Sequence, residues 1–237
     1  MKPFKSGHRR AQLVFITFGI LVVLFIVTIA FLIIDIDLRQ QIIDGETASF
    51  SEHEDSNDRV ALMGKICMYA SIFAGIPFLL WLYKAHANLP ALGAKGLKFS
   101  TGDAVGWFLV PIFNLFRPYQ VADETWNGSN PNVSGDTNRA WNTSSPSVFV
   151  GFWWGQFLFS LTMAIIALVV VRVDYVDYSL TYAGNIEYLE DFVYYRYWNI
   201  VFLCAAIVSF FTTILFVRSV DQRQKEKYKL VGEMSIE

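Results

Sequence analysis

Cysteine is scarce: the 237 residues hold two, Cys67 and Cys204, and both fall inside long apolar runs. That excludes the disulfide framework of a small secreted fold. Histidine is almost as rare. His8, His53 and His86 are the three, and none stands at metal-ligand spacing from a second His or a Cys. Charge is thin, at 17% of residues with a net value of −2, so there is no basic footprint for nucleic acid. Carboxylates are missing altogether from the four longest apolar runs, Ala11–Ile34, Val60–Leu82, Val148–Val171 and Asn199–Val217. Proton-coupled transporters mark their path with ionisable groups inside the bilayer, so this absence counts against one. No nucleophile–base pair, metal set or cofactor motif is present, and the expectation is a protein that is not an enzyme and holds no cofactor.

What the chain has in plenty is apolar surface. Hydrophobic residues make up 54% of it, and each of the four runs reaches the roughly 20 residues a spanning helix needs. Lys2, Lys5, Arg9 and Arg10 ahead of the first run resemble a signal peptide. The run is far longer than a signal core, however, and closes on FLIIDID rather than on small residues, so it reads as a retained first helix.

Lys and Arg set orientation, because cytoplasmic loops carry the excess. The N-terminal tail, the section with Lys84, Lys95, Lys98, Arg117 and Arg139, and the tail with Arg218, Arg223, Lys225, Lys227 and Lys229 all belong inside. The acidic loops Asp35–Arg59 and Arg172–Arg196 belong outside. Both termini are then cytoplasmic, in a multi-pass protein of a bacterial inner membrane. A fifth run, Ala104–Phe116, is apolar but too short to cross. Had it crossed, the acidic tyrosine loop and the basic tail would both break the charge rule. The expected fold is therefore all-α and integral to the membrane. It has four transmembrane helices in a single domain over 1–237, with a re-entrant or interfacial helix between spans two and three and a cytoplasmic linker over 127–147. Three acceptor triplets (Asn127-Gly-Ser129, Asn132-Val-Ser134 and Asn142-Thr-Ser144) would argue for an external linker. An Asn/Ser-rich linker also generates such triplets by composition alone, and the charge pattern favours that reading.

Distinctive residues gather between Trp81 and Trp126. Trp81 and Tyr83 end the second span at headgroup level, with Lys84 placed to snorkel and Pro77 placed to kink the helix. Tyr83–Lys98 mixes leucines with polar residues as a surface segment does. Ser100 and Asp103 have capping-box spacing ahead of a short helix that Pro111 must break. Asn114 is polar enough to satisfy the backbone groups so freed. Arg117 is placed to reach phosphate headgroups, and Pro118 suits the first turn of a helix running to about Trp126. Glu124 on that helix is within reach of Arg117 or Lys84.

The string Trp81-Leu-Tyr-Lys-Ala-His86-Ala-Asn88-Leu89, with Phe99-Ser100, Ala104-Val-Gly-Trp107-Phe, Pro111-Ile-Phe-Asn114-Leu, Arg117-Pro118-Tyr-Gln120, Glu124-x-Trp126 and Gly151-Phe-Trp153-Trp154, resembles the bacterial membrane family known as domain of unknown function 4328. The resemblance spans roughly Val60–Val217. It implies a multi-pass membrane domain without assigning an activity. The longer Asn/Ser-rich linker and the tyrosine-rich outer loop depart from the family pattern.

Five smaller features each admit a bland and a sharper reading. Lys65, the single charge in the spans, snorkels outward or pairs with outer acids. The acidic string Ser51–Asp58 is solvated or holds a divalent cation, and Cys67 and Cys204 are small apolar residues or a pair. Gly151-xxx-Gly155 and Ser71-xxx-Gly75 pack helices within one bundle, or else between copies in a homo-oligomer. The outer tyrosines form an interfacial belt or a cation-binding surface. The expected partners are the lipid bilayer with its anionic headgroups and an unidentified membrane or cytoplasmic protein. The expected role is an interaction or regulatory module at the cytoplasmic face, and the alternative is a small channel or permease built on the broken helix at Pro111 and Asn114.

Overall fold

A computed structural model describes residues 4–45, 50–132, 145–174 and 186–234. Among these residues six α-helices appear in chain order: α1 (His8–Ile43), α2 (Phe50–Ala87), α3 (Asp103–Gly106), α4 (Arg117–Gly128), α5 (Val148–Asp174) and α6 (Ile186–Met234). Short 3-10 turns at Leu89–Leu92, Trp107–Leu109 and Phe113–Leu115 fill the stretch between α2 and α4. There is no strand among the described residues. α1, α2, α5 and α6 are each long and apolar enough to cross a membrane. In hydrocarbon every backbone polar group must be satisfied within its own segment, which selects continuous helix for such runs.

The helices run past the apolar runs that identify them. α1 has 36 residues and α6 has 49. At 1.5 Å per residue these are about 54 and 74 Å long, against about 30 Å of hydrocarbon. Much of the expected outer loop Asp35–Arg59 is therefore helical. α1 continues through Arg39 to Ile43, and α2 begins at Phe50. α2 also continues through Pro77 without a break in its assignment. Residues 175–185 of the tyrosine loop and 133–144 of the linker lie outside the described residues.

Chain contacts divide the protein into two compact units, and each draws residues from all four long helices. Unit 2 (Gly19–Ile72 and Gln156–Phe210) packs Leu21, Phe25, Leu32, Val60, Cys67, Val193 and Leu203 in its interior. Helices within a bilayer gain little from apolar burial against apolar lipid, so small polar contacts add specificity. Here Ser160 and Ser209 meet at 2.9 Å between α5 and α6, Ser209 Oγ donates to the Gln156 carbonyl, and Gln156 Nε2 donates to the Ala205 carbonyl.

Unit 2 also holds a buried charge cluster. Asp35, fully buried, accepts from Arg39 Nε at 3.1 Å, Arg196 Nε at 2.8 Å and Ser56 Oγ at 3.0 Å. Arg196 donates further to Asn57, and both guanidiniums lie on the Phe192 ring, at 3.8 and 4.5 Å from its centre. The i, i+4 spacing of Asp35 and Arg39 is visible in the sequence. The long-range partner Arg196, from the other end of the chain, is not. Cys67 is buried beside Thr28 Oγ1 at 3.3 Å, Cys204 is exposed, and both are free thiols.

Candidate functional site

Unit 1 (Met1–Phe18, Phe73–Gly155 and Phe211–Glu237) collects most of the distinctive residues. Its centre is an aromatic stack. Trp153 lies on Phe216 with ring centres 4.6 Å apart and planes 12° from parallel, and Trp81 meets Phe216 edge-on at 5.7 Å. Trp126 stacks on the same Phe216 at 6.2 Å, and Phe78 touches both Trp81 and Trp153. Trp153 Nε1 donates to Thr213 Oγ1 at 2.9 Å, so a buried indole loses no hydrogen bond. Trp81 is 1% exposed. Its ring is turned into the core, against Phe78 and Phe216.

A polar layer adjoins the stack. Asn88 Nδ2 donates to the Lys5 carbonyl and to Gln224 Oε1, each at 3.1 Å. Gln224 Nε2 in turn donates to the Ala85 carbonyl at 2.8 Å and to Ser129 Oγ at 3.1 Å. Lys227 Nζ donates to the Gly128 carbonyl at 3.0 Å, at the C-terminal end of α4, where the helix dipole favours a cation. Arg223 lies over the Trp126 ring at 3.8 Å. Gly128 itself permits a close approach, since a Cβ there would meet Leu89 Cδ2 at 3.1 Å. Three distant stretches, the N-terminal tail, the end of α2 and the C-terminal tail, therefore meet at Asn88.

Two expectations for this layer are corrected. His86 is 1% exposed, not part of a surface segment, and its Nε2 donates to Glu124 Oε1 at 3.2 Å. Glu124 Oε2 also accepts the Lys98 backbone N–H at 3.0 Å. Its partners are thus a buried histidine and a loop amide, while Arg117 donates to Gln120 Oε1 instead. The physical reason is helix phase. Glu124 falls on the buried face of α4 with Val121, Thr125 and Gly128, whereas Arg117 sits at the start of the helix.

The stretch between α2 and α4 follows the sequence closely at its ends. Ser100 N–H donates to Asp103 Oδ2 at 2.9 Å, and Asp103 N–H donates to Ser100 Oγ at 3.1 Å, which is the reciprocal capping pair. The Ser100 backbone bond, then its hydroxyl, hold the Asp103 carboxyl below its ordinary range. The helix this cap opens lasts only to Gly106. A 3-10 turn follows, and Val110 is extended (φ −103°, ψ 109°) ahead of Pro111, as the residue before a proline prefers. α4 starts at Arg117 with Pro118 in its first turn. Burial, helped by the Asp123 charge, raises the Tyr119 hydroxyl pKa on this helix.

Between these ends the chain shows its apolar side chains to the outside. Leu109 is 76% exposed and Ile112 73%, with Leu115 and Phe116 also exposed. Arg117 stands among four rings, Phe99, Trp107, Phe113 and Phe116, each 5.6 to 5.9 Å from its guanidinium carbon. Trp154 Nε1 donates to the Leu115 carbonyl at 2.9 Å, tying α5 to the broken segment. Asn114 Oδ1 is buried without a hydrogen-bond partner, as are Trp107 Nε1 and Arg117 Nε. The structure thus brings Trp81, His86, Asn88, Glu124, Trp126 and Trp153 together around Phe216 and Gln224. Trp107, Pro111, Asn114, Arg117, Pro118 and Trp154 belong to the broken segment and its edge.

Sequence reasoning missed Phe216, Thr213, Arg223, Gln224, Lys227 and Ser129. The tail residues read as a charge bias, yet Gln224 and Lys227 are buried. Val220, Gln224 and Lys227 stand at i, i+4 and i+7, and that spacing was the available signal that one face of the tail helix is packed. The small-residue spacings also differ from expectation. An added Cβ at Gly151, Gly155 or Gly75 would meet nothing within 4 Å, so these glycines do not serve close packing inside the chain. Asn127 and Ser129, of the first acceptor triplet, are both buried.

No curated protein and no solved structure matches the sequence. A family match covers residues 44–222, from the turn after α1 into the basic stretch of α6, and includes every distinctive residue of unit 1 named in the sequence. The chain belongs to the family described as a domain of unknown function (DUF4328).

Proposed function

We propose that this protein is a multi-pass component of the bacterial inner membrane that acts as an interaction or regulatory module at the cytoplasmic face. Both termini and the segment between α2 and α5 are cytoplasmic in this reading. The observation that carries it is the outward-facing rim of Leu109, Ile112, Leu115 and Phe116 beside Arg117. Exposed apolar side chains flanking a guanidinium suit a segment seated in the inner headgroup layer, with its cation at the phosphates. The bonds joining Lys5, Asn88 and Gln224 support placing both tails and the α2 end on one side. In this reading an even number of crossings separates them, and the broken segment, re-entrant or interfacial, stays on the side it enters. Charge bias selects the cytoplasm as that side.

The test uses nitroxide labels at positions 109 and 112 in nanodiscs containing phosphatidylglycerol. The labels are accessible to oxygen and shielded from a water-soluble nickel relaxant. In the Arg117→Ala variant the nickel accessibility rises severalfold. Labels that are water-exposed in the wild-type chain would defeat the reading.

A second reading, a small channel or permease, draws on the unpartnered buried Asn114 Oδ1 and Trp107 Nε1, since an orphaned polar pair suits a wet or solute-lined cavity. Proteoliposome flux that Asn114→Leu abolishes without unfolding the chain would favour it over the module.

A further inference from the structure

Unit 2 contains a cavity of about 590 Å³. It opens along α2 from Asn57 to Ile72, about 22 Å of helix at 1.5 Å per residue. That length matches one leaflet, half of the roughly 40–45 Å bilayer including its headgroups. The volume falls in the range of about 300–1,000 Å³ typical of small-molecule sites, which are mostly apolar with a few placed polar groups. The lining has this composition and is polarised along its length. Asn57, Tyr195, Arg196 and Asn199 stand toward one end, and Phe25, Ile72, Phe202 and Leu203 toward the other.

Lys65 lines the cavity midway along α2. Among the described residues no carboxylate pairs with it, and no hydrogen bond occupies it. An ammonium in a spanning helix is costly unless something neutralises it. Its stem is long enough to carry the charge toward the Asn57 end. The cavity thus offers an apolar trough, a polar end and, between them, an ammonium that no described carboxylate pairs.

We propose that this cavity binds an anionic phospholipid, with its phosphate on Lys65 and the amides of Asn57 and Asn199, and one acyl chain along Phe25, Ile72 and Phe202. Charge complementarity selects an anionic headgroup over a zwitterionic one, and the apolar end selects a chain over a soluble anion. The inference needs unit 2 to lie in a bilayer and is independent of which face is cytoplasmic and of the role proposed for Arg117.

Native mass spectrometry of the purified full chain in detergent, titrated with phosphatidylglycerol or phosphatidylcholine, tests it. Phosphatidylglycerol binds one per chain, at least tenfold more tightly than phosphatidylcholine. Lys65→Gln removes that preference. Gly64→Leu fills the trough and weakens both lipids, and it can do so without a clash because a Cβ at Gly64 meets nothing within 4 Å. Circular dichroism and monodispersity of each variant show that the fold is kept. Equal binding of the two lipids, an unchanged preference in Lys65→Gln, or unchanged binding in Gly64→Leu would each overturn the proposal.

Discussion

Replacing Asp35 by asparagine destabilises the folded chain by about 3–5 kcal/mol, the range for removing one member of a buried ion cluster. Asp35 is 0% exposed and faces two guanidiniums, from Arg39 and Arg196. An amide of the same shape keeps the packing but withdraws the carboxylate that both arginines contact. Contact with the Phe192 ring returns part of the desolvation cost, about 1–2 kcal/mol for a desolvated cation–π pair, and cannot return all of it. Ser56→Ala is the control. It removes one neutral donor from the same carboxylate, and its cost is about 1 kcal/mol. Denaturant titration of both variants in detergent separates the two. Equal losses in the two variants would show that the charge of Asp35 is not what holds the cluster.

Trp153→Ala has a comparable effect in unit 1, about 3–5 kcal/mol, the range for truncating a buried large aromatic. The residue is 2% exposed and stacked on Phe216, and its indole N–H is satisfied by Thr213. Truncation opens a cavity in the middle of the ring cluster and removes the indole's hydrogen bond to Thr213. Trp153→Phe keeps most of the stack and loses the hydrogen bond, for about 1–2 kcal/mol. Phe152, the preceding residue, is 57% exposed, and its alanine variant changes stability by no more than about 0.5 kcal/mol. Trp fluorescence followed during thermal unfolding orders the three. A loss at Phe152 as large as at Trp153 would place the packing face of α5 on the wrong side.

Much of this could be read from local signals. The apolar runs announce the four long helices, Ser100 and Asp103 announce their capping pair, and Pro111 and Pro118 mark where the helix between spans two and three breaks and α4 begins. Each of these depends on neighbours within four residues, which a sequence displays. Helix ends were less legible. Past Ile34 or Val217 hydropathy falls, but helix propensity and tertiary packing continue, so α1 and α6 extend well beyond hydrocarbon length. Least legible were partners brought together by the fold. His86 reads as a surface histidine because Lys84 and Lys95 flank it, and only the packing of α4 buries it against Glu124. Asp35 and Arg196 lie 161 residues apart, and Asn88 and Gln224 lie 136 apart. Nothing in the local composition of either pair names its mate.

The account turns on the segment around Trp107 leaving the membrane on the side it enters. Thiol labelling in intact cells tests this most directly. With Cys67 and Cys204 replaced by serine, single cysteines at positions 50, 130, 190 and 230 are treated with a membrane-impermeant maleimide. The account predicts that positions 50 and 190 react in intact cells and that 130 and 230 react only after lysis. Labelling of position 130 from outside would contradict it.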